Sequence, residues 1–432
     1  MTVPKIAEAT LASLSRQGMA QAEVYLKEGR SRRYVTEPAG TEVGLLGERG
    51  WAVRAGDRNC SFFATGTGFP NPEEAWPEPD GYPLRLPEPR PLGSWREPSD
   101  LDAPLLGERE GLALLEELSR CLTEELPVAS LVSARLEDGS SRSWLASSRD
   151  LRASWRHRLA SLLMVARTEE AEVRLRLSER EARRFHPPTL ARALADRLTV
   201  RDRGRPGDRD RGEMLLAPAV GCRLLSLSTG YWIGPEAGNR LRNLSDPGGR
   251  IGSTAFTLVD DGRLPGGVLS APVDGEGVPT RETVLVDEGR PRQPLLSWWQ
   301  AREGRGTASG CSRRASWRDL PEPGPTHLYL RPHRPSPAVE MVRSVTRGYY
   351  LLDSPSEGRI DLESGQLTLP VYGFRLDSGR AVEPVSGMVL RGTVSSLLRG
   401  IRSVGRDVSF FPLDGMIGCP TLSVTGLELV PS

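Results

Sequence analysis

Residues 201–212 read Arg-Asp-Arg-Gly-Arg-Pro-Gly-Asp-Arg-Asp-Arg-Gly, with no apolar side chain for a core to take up. A segment of that kind stays hydrated, so it divides the chain into two units rather than joining either. We place an N-terminal α/β unit at 1–205 and a β-rich C-terminal unit at 206–432. The full 432 residues suit two to three domains of roughly 150 residues each.

The N-terminal unit opens on a helix, since Ala7, Leu11 and Leu14 recur at helical spacing. Lys5 and Glu8 interrupt any apolar run there, so the segment reads as amphipathic and not as a signal peptide. Residues 22–29, 41–46 and 50–56 alternate polar with apolar side chains, and Gly47-Glu48-Arg49-Gly50 resembles a turn between the last two. The expectation is an antiparallel meander. From 70 to 104, Pro70, Pro72, Pro77, Pro79, Pro83, Pro87, Pro89, Pro91, Pro98 and Pro104 forbid helix and central strand, which predicts an extended arm or linker. Leu115, Leu118, Leu122 and Leu126 then form one apolar stripe, with Glu108 and Glu110 where the helix dipole favours anions. Strand patterns follow at 131–136 and 172–177.

Beyond residue 212 the β-branched segments 255–261, 281–287 and 421–429 alternate with glycine turns and read as strands. The expected fold class is therefore α+β, an N-terminal antiparallel sheet with packed helices followed by a C-terminal region of curved antiparallel sheets. No GxGxxG follows a strand and no P-loop is present, which leaves nucleotide cofactors unsupported.

The formal net charge of +1 creates no field that would draw nucleic acid or an anionic membrane, so neither is an expected partner. Lys5 and Lys27 are the only lysines, a bias that genomic GC content explains more simply than phosphate recognition. Cys60, Cys121, Cys222, Cys311 and Cys419 are odd in number and never paired as Cys-x-x-Cys, which suits a reducing, cytoplasmic setting. No apolar run approaches the ~18 residues of a membrane span.

Residues 217–225, Ala-Pro-Ala-Val-Gly-Cys-Arg-Leu-Leu, have the look of a zinc-peptidase helix without its chemistry. Such a helix holds zinc with two imidazoles on one face and uses an adjacent carboxylate as general base. Ala217, Pro218 and Cys222 stand where His, Glu and His would be needed. His157, His186, His327 and His333 are each followed by a residue other than Glu, so no His-Glu pair exists in the chain. Pro218 lacks a helix-interior donor, which predicts that the helix starts close to it.

Several ordered blocks carry a family resemblance: residues 257–261 through Pro265-Gly266-Gly267, then Asp274-Gly275-Glu276-Gly277-Val278-Pro279-Thr280-Arg281, then Gly324-Pro325-Thr326-His327-Leu328-Tyr329, then Arg347-Gly348-Tyr349-Tyr350 and residues 401–407. The chain resembles the TldD/TldE (PmbA, modulator of gyrase) peptidases, and within them the TldE type that lacks the metal. This likeness implies a noncatalytic subunit without a cofactor of its own, paired with a zinc-bearing TldD-like chain, enclosing a chamber for unfolded or modified peptides. It also implies a substrate held extended along a sheet edge, for which Gly324, Pro325, Thr326 and His327 are candidates, supported by the turn of Asp274 and Glu276. His327 replaces the Asn of the family's loop. The late cysteine ligand of metal-bearing members is missing from residues 408–412, and Cys419 lies too far along the sequence. The 297–318 tract departs from the family's tyrosine-bearing loop.

Other chemistries compete on the same residues. Asp274 and Glu276 could be an acid/base pair, although Asp-Gly-Glu-Gly is also a tight turn whose glycines supply positive φ. Cys222 with His327 could form a thiol nucleophile and its base, or Cys222 could be a small buried hydrophobe. Cys222, Cys311 and His327 lack a metal-ligand spacing. Trp298-Trp299 fits packing or base stacking. A homo-oligomeric peptide-binding scaffold, a homodimer when alone, is the remaining alternative.

Overall fold

The computed structural model describes residues 2–92, 95, 97–304 and 306–432. Residues 93, 94 and 96 of the proline-rich arm and residue 305 of the 297–318 tract lie outside the described residues.

The first sheet has the order β3-β2-β1-β4-β5-β6, all antiparallel, built from β1 (Gln21–Glu37), β2 (Gly40–Gly56), β3 (Ser61–Thr67), β4 (Ser130–Ser147), β5 (Arg152–Arg167) and β6 (Glu172–Glu179). Helix α1 (Val3–Arg16) covers one end of one face, burying Ala7, Leu11 and Leu14 on Val24, Leu26, Val53 and Trp144. Helices α2 (Glu108–Glu125) and α3 (Pro187–Arg203) cover the other end, where Leu115, Leu118 and Leu122 meet Tyr34, Leu136, Leu162, Leu194 and Leu198. Each fully buried leucine contributes about 1.5–3 kcal/mol of apolar transfer free energy, so these two clusters fix the helices to the sheet.

The predicted turn at 47–50 does not form. Those residues lie inside β2, where Gly47 to Gly50 face Arg30 to Lys27, and Glu48 and Arg49 pair with Lys27 and Glu28 across the ladder. The hairpin turns instead at 38–39, with Gly40 at φ +142°. The arm is extended as predicted, apart from a 3-10 turn at Ser99–Asp102, but it is no free linker. Leu84 and Leu86 are buried, and the Gln21 side chain donates to Leu84 O and accepts from Leu86 N–H. Arg85 and Arg90 stack over Trp299 and Trp298, which favours the packing role for these tryptophans. The charged run is helical to Arg203, then crosses to the second half through single bridges at Arg205 and Asp210.

The second half is β-rich with short helices. Its strands are β7 (Met214–Leu216), β8 (Phe256–Asp261), β9 (Glu282–Asp287), β10 (Arg290–Pro291), β11 (Ser312–Arg313), β12 (Glu322–Pro323), β13 (His327–Pro332), β14 (Arg347–Asp353), β15 (Arg359–Ile360), β16 (Gln366–Asp377), β17 (Arg380–Thr393), β18 (Ile401–Val404), β19 (Ser409–Leu413), β20 (Gly415–Cys419), β21 (Leu422–Val424) and β22 (Glu428–Pro431). One sheet runs β10-β9-β8-β13-β20-β19 and another β18-β21-β7-β14-β16-β17-β22, with β15 on β16. The pairings are antiparallel except β13 with β20 and β7 with β14, which are parallel. The expected single strand at 421–429 is broken, because Gly426 takes φ +79° and turns the chain between β21 and β22. A single core joins these sheets to α4 (Pro218–Leu227).

Candidate groove beside helix 218–227

Helix α4 begins where the sequence predicts. Ala217 is its extended N-cap and Pro218 opens the first turn, where a missing N–H costs nothing. Ala219, Val220, Gly221, Cys222, Leu224 and Leu225 are buried against β19 and β20, and the approach is close. A Cβ on Gly221 would sit 2.4 Å from Cys419 Sγ. Although Cys419 stands far along the sequence from the 408–412 stretch, β20 brings its thiol against the helix.

Beside α4 and β19 lies a groove of about 530 Å³. Ala219, Arg223 and Leu227 face it from the helix, Arg174 and Arg176 from β6, and Phe411 from β19. Strands β6 and β19 are each the last strand of a sheet, so two sheet edges meet at this groove. Arg223 and Arg197 both donate to the buried carboxylate of Asp353, at 3.2 and 2.8 Å, which ties α4 to α3 and β14.

The three positions in place of metal chemistry do not fit a zinc ion. Ala217 and Pro218 have no donor atom, and the Cys222 thiol donates to Ile417 O at 3.2 Å inside the core. Among the described residues, no group of three or more His, Cys, Asp or Glu stands together to hold a metal. The Cys222 nucleophile reading is also corrected. Burial drives its thiol well above the usual range, and both nitrogens of its supposed base are occupied. His327 Nδ1 is 2.8 Å from Asp261 O, and Leu269 N–H donates to Nε2 at 3.2 Å, so the ring is neutral with its proton on Nδ1. Burial lowers its pKa to about 4.

The loop 324–327 is not a free edge either. Residues 324–327 are all buried, and from His327 the chain enters β13, paired with β20 over 327–329 and with β8 over 328–332. Thr326 N–H donates to the buried Asp260 at 2.7 Å. Gly324 makes room for an arginine, since a Cβ there would lie 3.1 Å from Arg313 Nη2.

Asp274 and Glu276 build the turn rather than an acid/base pair. Asp274 accepts from Glu276 and Val278 N–H at 2.9 Å and from Ser312 N–H at 3.0 Å, while Glu276 accepts from Trp298 N–H and Ser312 Oγ. Burial, then the neighbouring Glu276, pushes the Asp274 carboxyl well above the ordinary range. Gly277 has the expected positive φ of +85°; Gly275 is needed instead for clearance, 2.9 Å from Pro321 Cβ. Asp274 and Thr326 line one crevice together, distinct from the groove beside α4. The groove itself was not singled out by the sequence, because its walls come from strand edges far apart in the chain.

Comparison with known proteins adds to this geometry. The profile of the PmbA/TldA metallopeptidase C-terminal domain matches residues 211–430. The "Metalloprotease TldD homolog" of Buchnera aphidicola subsp. Schizaphis graminum is 28% identical over 170 residues, 39% of this chain and 35% of that protein. A "Metalloprotease" of Methanothermobacter thermautotrophicus is 31% identical over 164 residues, 37% of this chain and 35% of its own length. The chain thus spans about a third of the length of these curated relatives. TldE from Thermococcus kodakarensis superposes with a TM-score of 0.85 at 15% identity, covering 98% of this chain and 100% of that one. A putative modulator of a DNA gyrase from Thermotoga maritima gives 0.82 at 16% identity, with 99% and 100% covered. These structures share the fold. With the profile matching half the sequence, and with α4, the Asp274 turn and β13 all inside the matched span, the chain belongs to the TldD/TldE (PmbA) metallopeptidase family.

Proposed function

We propose that this chain is the metal-free, TldE-like subunit of a peptidase whose zinc resides in a TldD-like partner chain. In that reading it acts in the cytoplasm on unfolded or modified peptides and supplies chamber wall and backbone-binding surface. The observation that carries the reading is α4. It packs against the second-half core at the segment that resembles a zinc-peptidase helix in sequence, yet it presents Ala217, Pro218 and a sealed Cys222.

The groove replaces the 324–327 loop as the peptide surface. The edge strands β6 and β19 offer unpaired backbone groups to an extended segment, a mode tolerant of side chains. Pro412 removes one donor from β19, which leaves β6 as the better template.

The test mixes the purified chain with a zinc-bearing family member from the same genome and follows cleavage of an unfolded peptide. Activity is expected only in the mixture, abolished by changing the partner's zinc ligands and unaffected by Cys222→Ala here. The triple change Ala217→His, Pro218→Glu, Cys222→His should give no activity alone, because zinc also needs a third protein ligand. Peptide hydrolysis by the unmixed wild-type chain, lost in Cys222→Ala, would sink the proposal.

A further inference from the structure

A crevice of about 310 Å³ lies between the first sheet and the loops around Asp274 and Ser312. Its walls include Trp155, Leu159, Val268 and Leu269, enough apolar surface for one side chain. Its polar lining is one-sided. Lys27, His157, Arg313 and Arg314 are the basic groups, and Asp274 is the only acidic side chain there.

Hydrogen bonding sharpens that imbalance. The Trp155 indole N–H donates to His157 Nε2 at 2.8 Å, and an indole can only donate, so the neutral imidazole carries its proton on Nδ1. That N–H makes no hydrogen bond to a described residue. Arg313 Nε is buried without a partner, and its nearest carboxylate, Asp414, is 3.6 Å away. Lys27 Nζ shares Glu48 at 3.0 Å in a half-exposed pair. Arg314 is committed to Glu23 and stacks on Tyr25. The Asp274 oxygens are already filled by three backbone N–H groups. The crevice therefore offers spare donors and positive charge, with no carboxylate left over for a ligand ammonium.

We propose that this crevice binds the free C-terminal carboxylate of a peptide, with the terminal side chain against Trp155 and Leu159. A free amino acid would bring an ammonium that nothing here accepts. The space also continues in the right direction. Ser141, His157 and Leu159 border a second crevice along the sheet, lined by Gly29, Ser31 and Gly139 and by the paired charges of Arg33 with Glu137 and Lys27 with Glu48, over which the preceding residues can lie extended. The inference rests on the chain being a peptide binder. It concerns the isolated chain, so its failure is distinguishable from failure of the mixing experiment.

The test titrates the isolated chain with N-acetyl-leucyl-leucine, its C-terminal amide and free leucine, by calorimetry. The acid should bind at least about 10-fold more tightly than the amide, the size of one charge-assisted contact. Leucine should be weaker than the blocked acid. Arg313→Gln should erase the preference for acid over amide; Lys27→Gln, at a partly exposed position, should reduce it about 3-fold. Equal affinity for acid and amide, or no saturable binding below about 10 mM, would overturn the assignment. Leucine binding as tightly as the blocked acid would show that the site takes free amino acids and not a peptide terminus.

Discussion

Glu23→Ala is expected to destabilise the chain by about 3–5 kcal/mol, the usual consequence of stripping the partner from a buried charge. Glu23 is 1% exposed on β1. Arg54, directly opposite on β2, donates to both its oxygens at 3.1 and 2.9 Å, and Arg314 from the second half of the chain donates as well. Removing the carboxylate leaves the buried Arg314 guanidinium without its partner, beside the largely buried Arg54. An exposed pair such as Arg375 with Glu383 offers the contrast, since Glu383→Ala should cost no more than about 1 kcal/mol. Urea unfolding of both variants at neutral pH measures the difference. A Glu23→Ala midpoint within the range of Glu383→Ala would mean that the buried cluster is hydrated or rearranges. Because Arg314 also stacks on Tyr25 and donates to Gly275 O, the variant should loosen the crevice proposed to hold a carboxylate.

What the sequence made legible follows from how local each signal is. Helix α1 buries the stripe its spacing predicts, α2 buries Leu115, Leu118 and Leu122 but ends before Leu126, its extended C-cap, and Pro218 marks the start of α4, because helical periodicity and proline chemistry act within a few residues. Strand β5 hides its period for a physical reason. It buries Ala153 and Trp155 on one face, beneath the second half of the chain, and then Arg158, Ala160, Leu162 and Met164 on the other, beneath α2 and α3. A change of buried face in mid-strand breaks the alternation that would reveal it. The turn expected at 47–50 fails because cross-strand pairing with β1 outweighs the local preference of two glycines. The donor gap at Ala217, Pro218 and Cys222 was readable, since a missing imidazole needs no coordinates. The groove beside it was not, since β6 and β19 are more than two hundred residues apart.

Between pH 4 and 6.5 the contributions of His327 and Asp260 to the stability of the wild-type chain should nearly cancel, because burial displaces the two groups so that they oppose each other. Burial lowers His327 to about 4, from an unfolded value of about 6.5. In that window the unfolded chain binds the extra proton, so this group makes stability rise with pH and fall on acidification. Burial raises Asp260 to about 7, from an unfolded value of about 3.9. Here the folded chain holds the extra proton, so this group makes stability fall as pH rises through the same window. Each slope is about 1.4 kcal/mol per pH unit where one proton differs between the states. Asp260→Asn keeps an acceptor for Thr326 N–H and removes one slope. Relative to wild type, its stability should climb by about 3 kcal/mol from pH 4 to 6.5. His327→Asn removes the other slope and should move in the opposite direction. Denaturant midpoints at half-unit pH steps for the three proteins decide the matter. Parallel curves for all three would show that neither side chain titrates as its burial requires, and that the junction between β8 and β13 admits water.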